Sequence, residues 1–160
     1  MRILIDDREK LPYDFSGFEG IEIVKGRLNV GDYSVYGLQN EVAVERKSLN
    51  DLANCLGSQR TRFMDEMMRS RGLRRFCIVV ESDWKDLMNG NYYSKVSSAS
   101  AVGSVTWLQS RGIQFHFAGD RQDAEKFTYD YLRHYVNAEG KRADSILSAL
   151  NNSCGGCNGN

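Results

Sequence analysis

No apolar run in this chain approaches the ~18–20 residues of a membrane-spanning helix, so neither a transmembrane segment nor a membrane partner is expected. The N-terminus, MRILIDDREK, does not read as a signal peptide, because four charges at residues 6–9 fall where the apolar stretch would have to be. Neither sign of charge is in excess. Lysine plus arginine and aspartate plus glutamate number 21 each, which removes a whole-chain basic field as an argument for nucleic acid and leaves only local clusters. Cysteine is sparse. Cys55 and Cys77 lie in periodic segments expected to be buried, and Cys154 and Cys157 in a glycine- and asparagine-rich tail. That is no disulfide framework, and the expected setting is intracellular, cytoplasmic for a prokaryotic or phage gene. The tail CxxC supplies two of the four ligands a zinc site needs, and the chain has no second pair. An unstructured tail and a metal held between chains are the two readings of it.

What is present suits one domain with a real core. Residues 2–5 (RILI) read as a short buried strand and 20–28 as a second, with the only proline, Pro12, in the loop between. Residues 32–37 and 41–47 are strands close enough to form a hairpin. Ser48 with Asp51 three residues on is a capping-box-like helix start. A second helix is expected over 58–71, before Gly72. The run RRFCIVVES (74–82) has the pattern of a central strand covered on both faces. Residues 83–93 read as a loop bearing Trp84, Tyr92 and Tyr93, which either stack on unpaired bases or cap the core. A helix over 97–111, a strand over 113–117 and a helix capped by Asp120 follow, the last with Ala124, Phe127, Tyr131 and Tyr135 on one stripe. A separate short helix is expected over 141–150. The order implies an α/β fold with a mixed central sheet of about six strands flanked by helices. Residues 1–137 form the domain, and 138–160 a short helix with a disordered tail.

The chemistry concentrates at VERKSLNDL (44–52). Residues two apart in a strand share a face, so Glu45 and Lys47 project together and Arg46 projects oppositely. The hairpin can set Asp32 beside Glu45. Two carboxylates with one lysine suit a hard divalent cation such as Mg²⁺. Water can then be activated and phosphate charge offset, with the lysine orienting or deprotonating the water or stabilising the transition state. Asp-x(n)-Glu-x-Lys alone is a weak signal, and a solvated hairpin edge is the bland alternative. Strand ends are where sites gather in α/β sheets, however, and the first strand also ends in charges, Asp6-Asp7-Arg8-Glu9. Residues 60–75 carry six arginines against Asp65 and Glu66. That stretch is either a path for a polyanion or a solvated helix face. His116 reads as a hydrogen-bonded structural residue and His134 has no assigned role.

Together these motifs resemble the nuclease domain of the XPF-type structure-specific endonucleases, within the restriction-endonuclease-like PD-(D/E)XK superfamily. IDDREK matches the family's Asp-x-Arg-Glu (Asp6, Arg8, Glu9), LNVGDY its Val-Gly-Asp-Tyr (Asp32), and VERKSLNDL its Glu-Arg-Lys-x-x-x-Asp (Glu45, Arg46, Lys47, Asp51). Gln59, Arg62 and Glu81 also have counterparts, and the likeness spans roughly residues 1–137. It implies Mg²⁺- or Mn²⁺-dependent hydrolysis of phosphodiester bonds in branched, flap or fork DNA. Asp32, Glu45 and Asp6 resemble the metal ligands, and Lys47 the catalytic lysine. Arg8 and Arg46 resemble arginines of the catalytic site that bind phosphate or brace carboxylates. Asp51 and Glu9 support the site, and Gln59, Arg60, Arg62, Arg69 and Arg71 are the expected DNA-binding side chains. Family members commonly continue into tandem helix-hairpin-helix motifs, and the 23 residues after Asn137 are too few for those. A homodimer or heterodimer through the C-terminal helices is a further implication. A non-catalytic DNA-binding partner subunit and a less structure-selective nuclease are the competing readings.

Overall fold

The computed structural model describes the backbone of residues 1–154 and the side chains of residues 1–150. Strands β1 (Arg2–Asp6), β2 (Glu22–Gly26), β3 (Tyr33–Val35) and β4 (Val42–Lys47) precede helices α1 (Leu49–Leu56) and α2 (Arg60–Ser70). Then come β5 (Arg75–Val80), α3 (Trp84–Asn89), α4 (Ser98–Ser110), β6 (Gln114–Phe117) and α5 (Arg121–Cys154). The strands form one mixed sheet in the order β2-β1-β3-β4-β5-β6. Pairing is parallel for β1 with β2, β4 with β5 and β5 with β6, and antiparallel on both sides of β3. Five strands therefore share one direction and β3 opposes them. One edge of the sheet collects the C-terminal ends of β1, β4 and β5 and the N-terminal end of β3.

Strand alternation divides the core. Ala43, Phe76, Ile78 and Val80 face one side, with Leu52, Phe63, Leu87 and Val105 from α1–α4. Val42, Val44 and Val79 face the other, where Ala124 and Leu132 of α5 cover them. The continuous apolar run of β5 is thus buried on both faces, the arrangement a central parallel strand needs. Ser48 caps α1 as its spacing implies, its Oγ accepting from the Asp51 N–H at 3.1 Å and donating to the Asp51 carboxylate at 2.7 Å.

Two elements depart from the sequence reading. Residues 84–89 form α3 where a loop was expected, and Gly90 ends that helix at φ 72°. The separate helix over 141–150 does not exist, since α5 runs unbroken from Arg121 to Cys154. The expected disordered tail falls, beyond Cys154, outside the described residues, as does any structural account of Cys157. His116 is held by stacking on Phe127, with centroids 3.7 Å apart, in place of the expected hydrogen bond.

Candidate active site

Gly31 sets the first acid. Its φ is +81°, and a Cβ there would lie 2.9 Å from the Ala43 Cβ and 3.1 Å from the Val44 carbonyl oxygen. Only glycine lets the chain turn so close to β4. Asp32 follows, its N–H donating to the Val44 carbonyl and its own carbonyl accepting from the Asp6 N–H, both at 2.9 Å. The Asp32 carboxylate accepts the Arg46 N–H at 2.8 Å. The hairpin thus lays Asp32 across from Glu45, as the spacing suggested.

Glu45 and Lys47 share the face of β4 toward α1 and α2, and the Lys47 ammonium is in direct contact with the Glu45 carboxylate. Glu45 is only 4% exposed. Asp32, Glu45 and Lys47 line one cavity of about 290 Å³. Burial pushes the Asp32 carboxyl up to about 6, against the Arg46 N–H and the Lys47 charge that favour ionisation. Burial, then the nearby Asp32 charge, raises Glu45 well above the carboxylate range. Burial works against the charge on Lys47, yet the Glu45 carboxylate outweighs it, so the ammonium is held above its ordinary range.

Asp6 lines the same cavity, with Arg8 folded onto its carboxylate. Its two oxygens accept from the Arg8 N–H, Nε and Nη2 and from the Leu28 N–H, at 2.7–2.9 Å. Despite its burial, those bonds hold its carboxyl below the ordinary range. No group of three or more His, Cys, Asp or Glu side chains among the described residues is arranged to hold a metal ion. All three expected ligands border one cavity, and of the three Asp6 is the one held by an arginine, Arg8. Arg46 braces carboxylates, one of the two roles expected of it. It points away from the cavity, paired side-on with Glu81 through Nε at 2.7 Å and Nη2 at 2.8 Å, and Glu9 lies 3.6 Å from its Nη1. Tyr13 and Arg121 complete this network, each donating to Glu81 at 3.1 Å. Arg46 and Glu9 brace the back of β4, where Arg46 stands between Glu45 and Lys47.

The ERCC4 domain model matches residues 5–131 of this sequence. The chain belongs to the ERCC4 domain family. Over 145 residues it is 39% identical to the 3′-flap repair endonuclease Xpf of Saccharolobus solfataricus, covering 81% of this chain and 57% of that protein. The chain thus spans little more than half the length of that relative. Its fold matches XPF from Aeropyrum pernix with a TM-score of 0.68 at 21% identity, over 94% of this chain and 72% of that one. The Aeropyrum pernix XPF in complex with DNA matches with a TM-score of 0.65 at 20% identity, over 86% and 66%.

In this ERCC4 domain α2 forms one wall of the cavity, with Gln59 just before it, Arg62 and Arg69 all lining the space. Arg60 and Arg71, expected beside them, do not line it. Arg60 turns back to donate to Ser104 Oγ at 2.9 Å, and Arg71 follows the helix end at its C-cap. The basic stretch divides further at Arg74, which pairs with Glu41 and Glu139 on the far side. Asp51 stays outside the cavity and acts through the α1 cap. Sequence reasoning overlooked Glu66 as a site residue. It lines the cavity, and its charge further raises Asp32 and Glu45. Its spacing of four from Arg62 and seven from Gln59 carried the signal, because those positions share a helix face.

Proposed function

We propose that this chain hydrolyses phosphodiester bonds in branched DNA, at flaps or forks, using a divalent cation, Mg²⁺ or Mn²⁺. The observation that carries the reading is the Asp32–Glu45 pair, Glu45 buried, beside the Lys47 ammonium in one cavity. The donor set fits a hard cation. Mg²⁺ is usually bound by one or two carboxylates, with water and substrate phosphate completing the shell, so Asp32 and Glu45 suffice without a third acid. When bound, the cation offsets phosphate charge and acidifies water.

The chain's own groups supply the rest. Lys47 presents a fixed positive charge where negative charge develops on the phosphate oxygens. Arg8 is fastened by Nε and Nη2, and its Nη1 has no partner among the described residues, so it can take a phosphate oxygen. Gln59, Arg62 and Arg69 line the path of the flanking backbone. In the hydrolysis a water oxygen bonds to phosphorus, the bond to the leaving sugar oxygen breaks, and that oxygen takes a proton. A non-catalytic DNA-binding subunit has no need to set two acids side by side in a cavity, which favours the enzyme. A homodimer or heterodimer through the C-terminal helix would use the outer edges of Phe127, Tyr131 and Tyr135, which pack partly against the core and with His134 line a cleft of about 410 Å³.

End-labelled flap, fork, nicked, duplex and single-stranded DNA, incubated with the protein and Mg²⁺ or Mn²⁺, test the substrate. Cutting is expected on flap or fork substrates near the junction. Equal cutting of all five would replace this reading with a less structure-selective nuclease, and no cutting of any would leave the non-catalytic subunit.

A further inference from the structure

Trp84, Tyr92 and Tyr93 were open to two readings as a group, and the structure separates them. Trp84 meets Phe117 edge-on at 5.1 Å and Tyr92 packs against the α1–α4 core. Tyr93 is 91% exposed, more than any other large apolar side chain among the described residues. The segment alternates, with Tyr92, Ser94 and Val96 half-buried and Asn91, Tyr93 and Lys95 outward.

We propose that Tyr93, with Lys95, is a stacking platform for an unpaired DNA strand that extends beyond the cavity, and that it selects substrates carrying single-stranded DNA flanking the cut. This rests on the nuclease reading above and names the feature of the substrate that the site recognises. The backbone that presents the ring is held in place. The Tyr93 N–H donates to Asn50 Oδ1 at 2.7 Å, Asn91 Nδ2 donates to Asp86 Oδ1 at 2.8 Å, and the Tyr92 hydroxyl donates to the Val96 carbonyl at 3.3 Å. Little ordering remains to be done when a base arrives. Neither the Tyr93 ring nor the Lys95 ammonium has a partner among the described residues. Asn50 is three residues beyond Lys47, so this anchor lies within about 11 Å of Lys47 along the chain. With the Asn50 side chain, its hydrogen bond and the tyrosine side chain added, the ring lies within roughly 25 Å of Lys47, a span of up to about seven nucleotides at about 3.4 Å each. An aromatic face beside a cation, two residues apart on one side, is the pairing that holds single strands without reading their sequence.

The test is binding by fluorescence anisotropy in EDTA, which separates affinity from cleavage, with a labelled 3′-flap duplex, a nicked duplex and a single-stranded oligonucleotide. Tyr93→Ala is expected to weaken flap and single-strand binding by about 5- to 150-fold and to leave nicked-duplex binding as in the wild type. Tyr93→Phe keeps the ring and should keep the affinity. A 2-aminopurine in the unpaired strand should be quenched by the wild type and Tyr93→Phe and not by Tyr93→Ala. Unchanged flap affinity in Tyr93→Ala, an equal loss on the nicked duplex, or failure of Tyr93→Phe to rescue each overturns the proposal. A chain that binds in this pattern but never cuts sinks the nuclease reading and leaves the platform standing. One that cuts with Tyr93→Ala affinity unchanged sinks the platform alone, and one that binds no DNA sinks both.

Discussion

Replacing Asp32 by asparagine should stabilise the metal-free fold while it removes one of the two proposed cation ligands. The carboxylate sits beside Glu45 in a largely desolvated place, and its ionisation is raised from the ordinary 3.8 to about 6. An acid raised in the folded state contributes stability that is whole below the unfolded value and is lost as pH rises through the folded one. Wild type therefore loses stability relative to the variant between about pH 4 and pH 6. The rise corresponds to about 3 kcal/mol as an upper bound. Asparagine is neutral and keeps an oxygen for the Arg46 N–H, so no bond is lost in exchange. In a chain of this length about 3 kcal/mol corresponds to roughly 6–12 °C in Tm. Thermal melts of both proteins in EDTA at pH 5 and pH 8 are the assay. The variant's advantage at pH 5 should be about half of that at pH 8, and millimolar Mg²⁺ should raise the wild-type Tm at pH 8 but not the variant's. An advantage equal at both pH values, or a variant less stable at pH 8, would refute the reasoning.

Gly31→Ala forces a Cβ to 2.9 Å from Ala43 at a positive φ; a loss of about 1–3 kcal/mol in urea unfolding is expected, with cleavage falling too because Asp32 shifts with the turn. Arg46→Ala strips Glu81 of its side-on partner while Arg121 and Tyr13 remain; destabilisation of about 3 kcal/mol is expected, read as a drop in the denaturation midpoint, whereas an unchanged midpoint would remove its bracing role.

The hairpin was readable because β4 buries Val42 and Val44 and then turns polar, and because the alternation that separates Glu45 and Lys47 from Arg46 is a property of any strand. The start of α1 was readable for the same kind of reason, since Ser48 and Asp51 stand at cap spacing. Helix α3 escaped notice because six residues with one buried side chain, Leu87, carry no periodicity. The unity of α5 was hidden by its exposed second half and by Gly140, which lies within the helix. A glycine there costs only about 1 kcal/mol relative to alanine. The turn that folds Arg8 onto Asp6 two residues earlier is a local pattern, whereas the Leu28 N–H on the same carboxylate is a tertiary contact that no local pattern encodes. The arginines after Gln59 were visible as charge. Which of them face the cavity depended on the helix phase, which also would have shown Glu66.

Single-turnover cleavage of an end-labelled 3′-flap DNA tests the central claim most directly, with wild type, Glu45→Gln and Lys47→Ala compared in Mg²⁺, Mn²⁺ and EDTA. Wild type should cut only with a divalent cation, Glu45→Gln should be inactive, and Lys47→Ala should be slowed by about 10²–10³-fold while DNA binding persists. Cleavage by the wild type in EDTA, or a full rate from Lys47→Ala, would contradict the account.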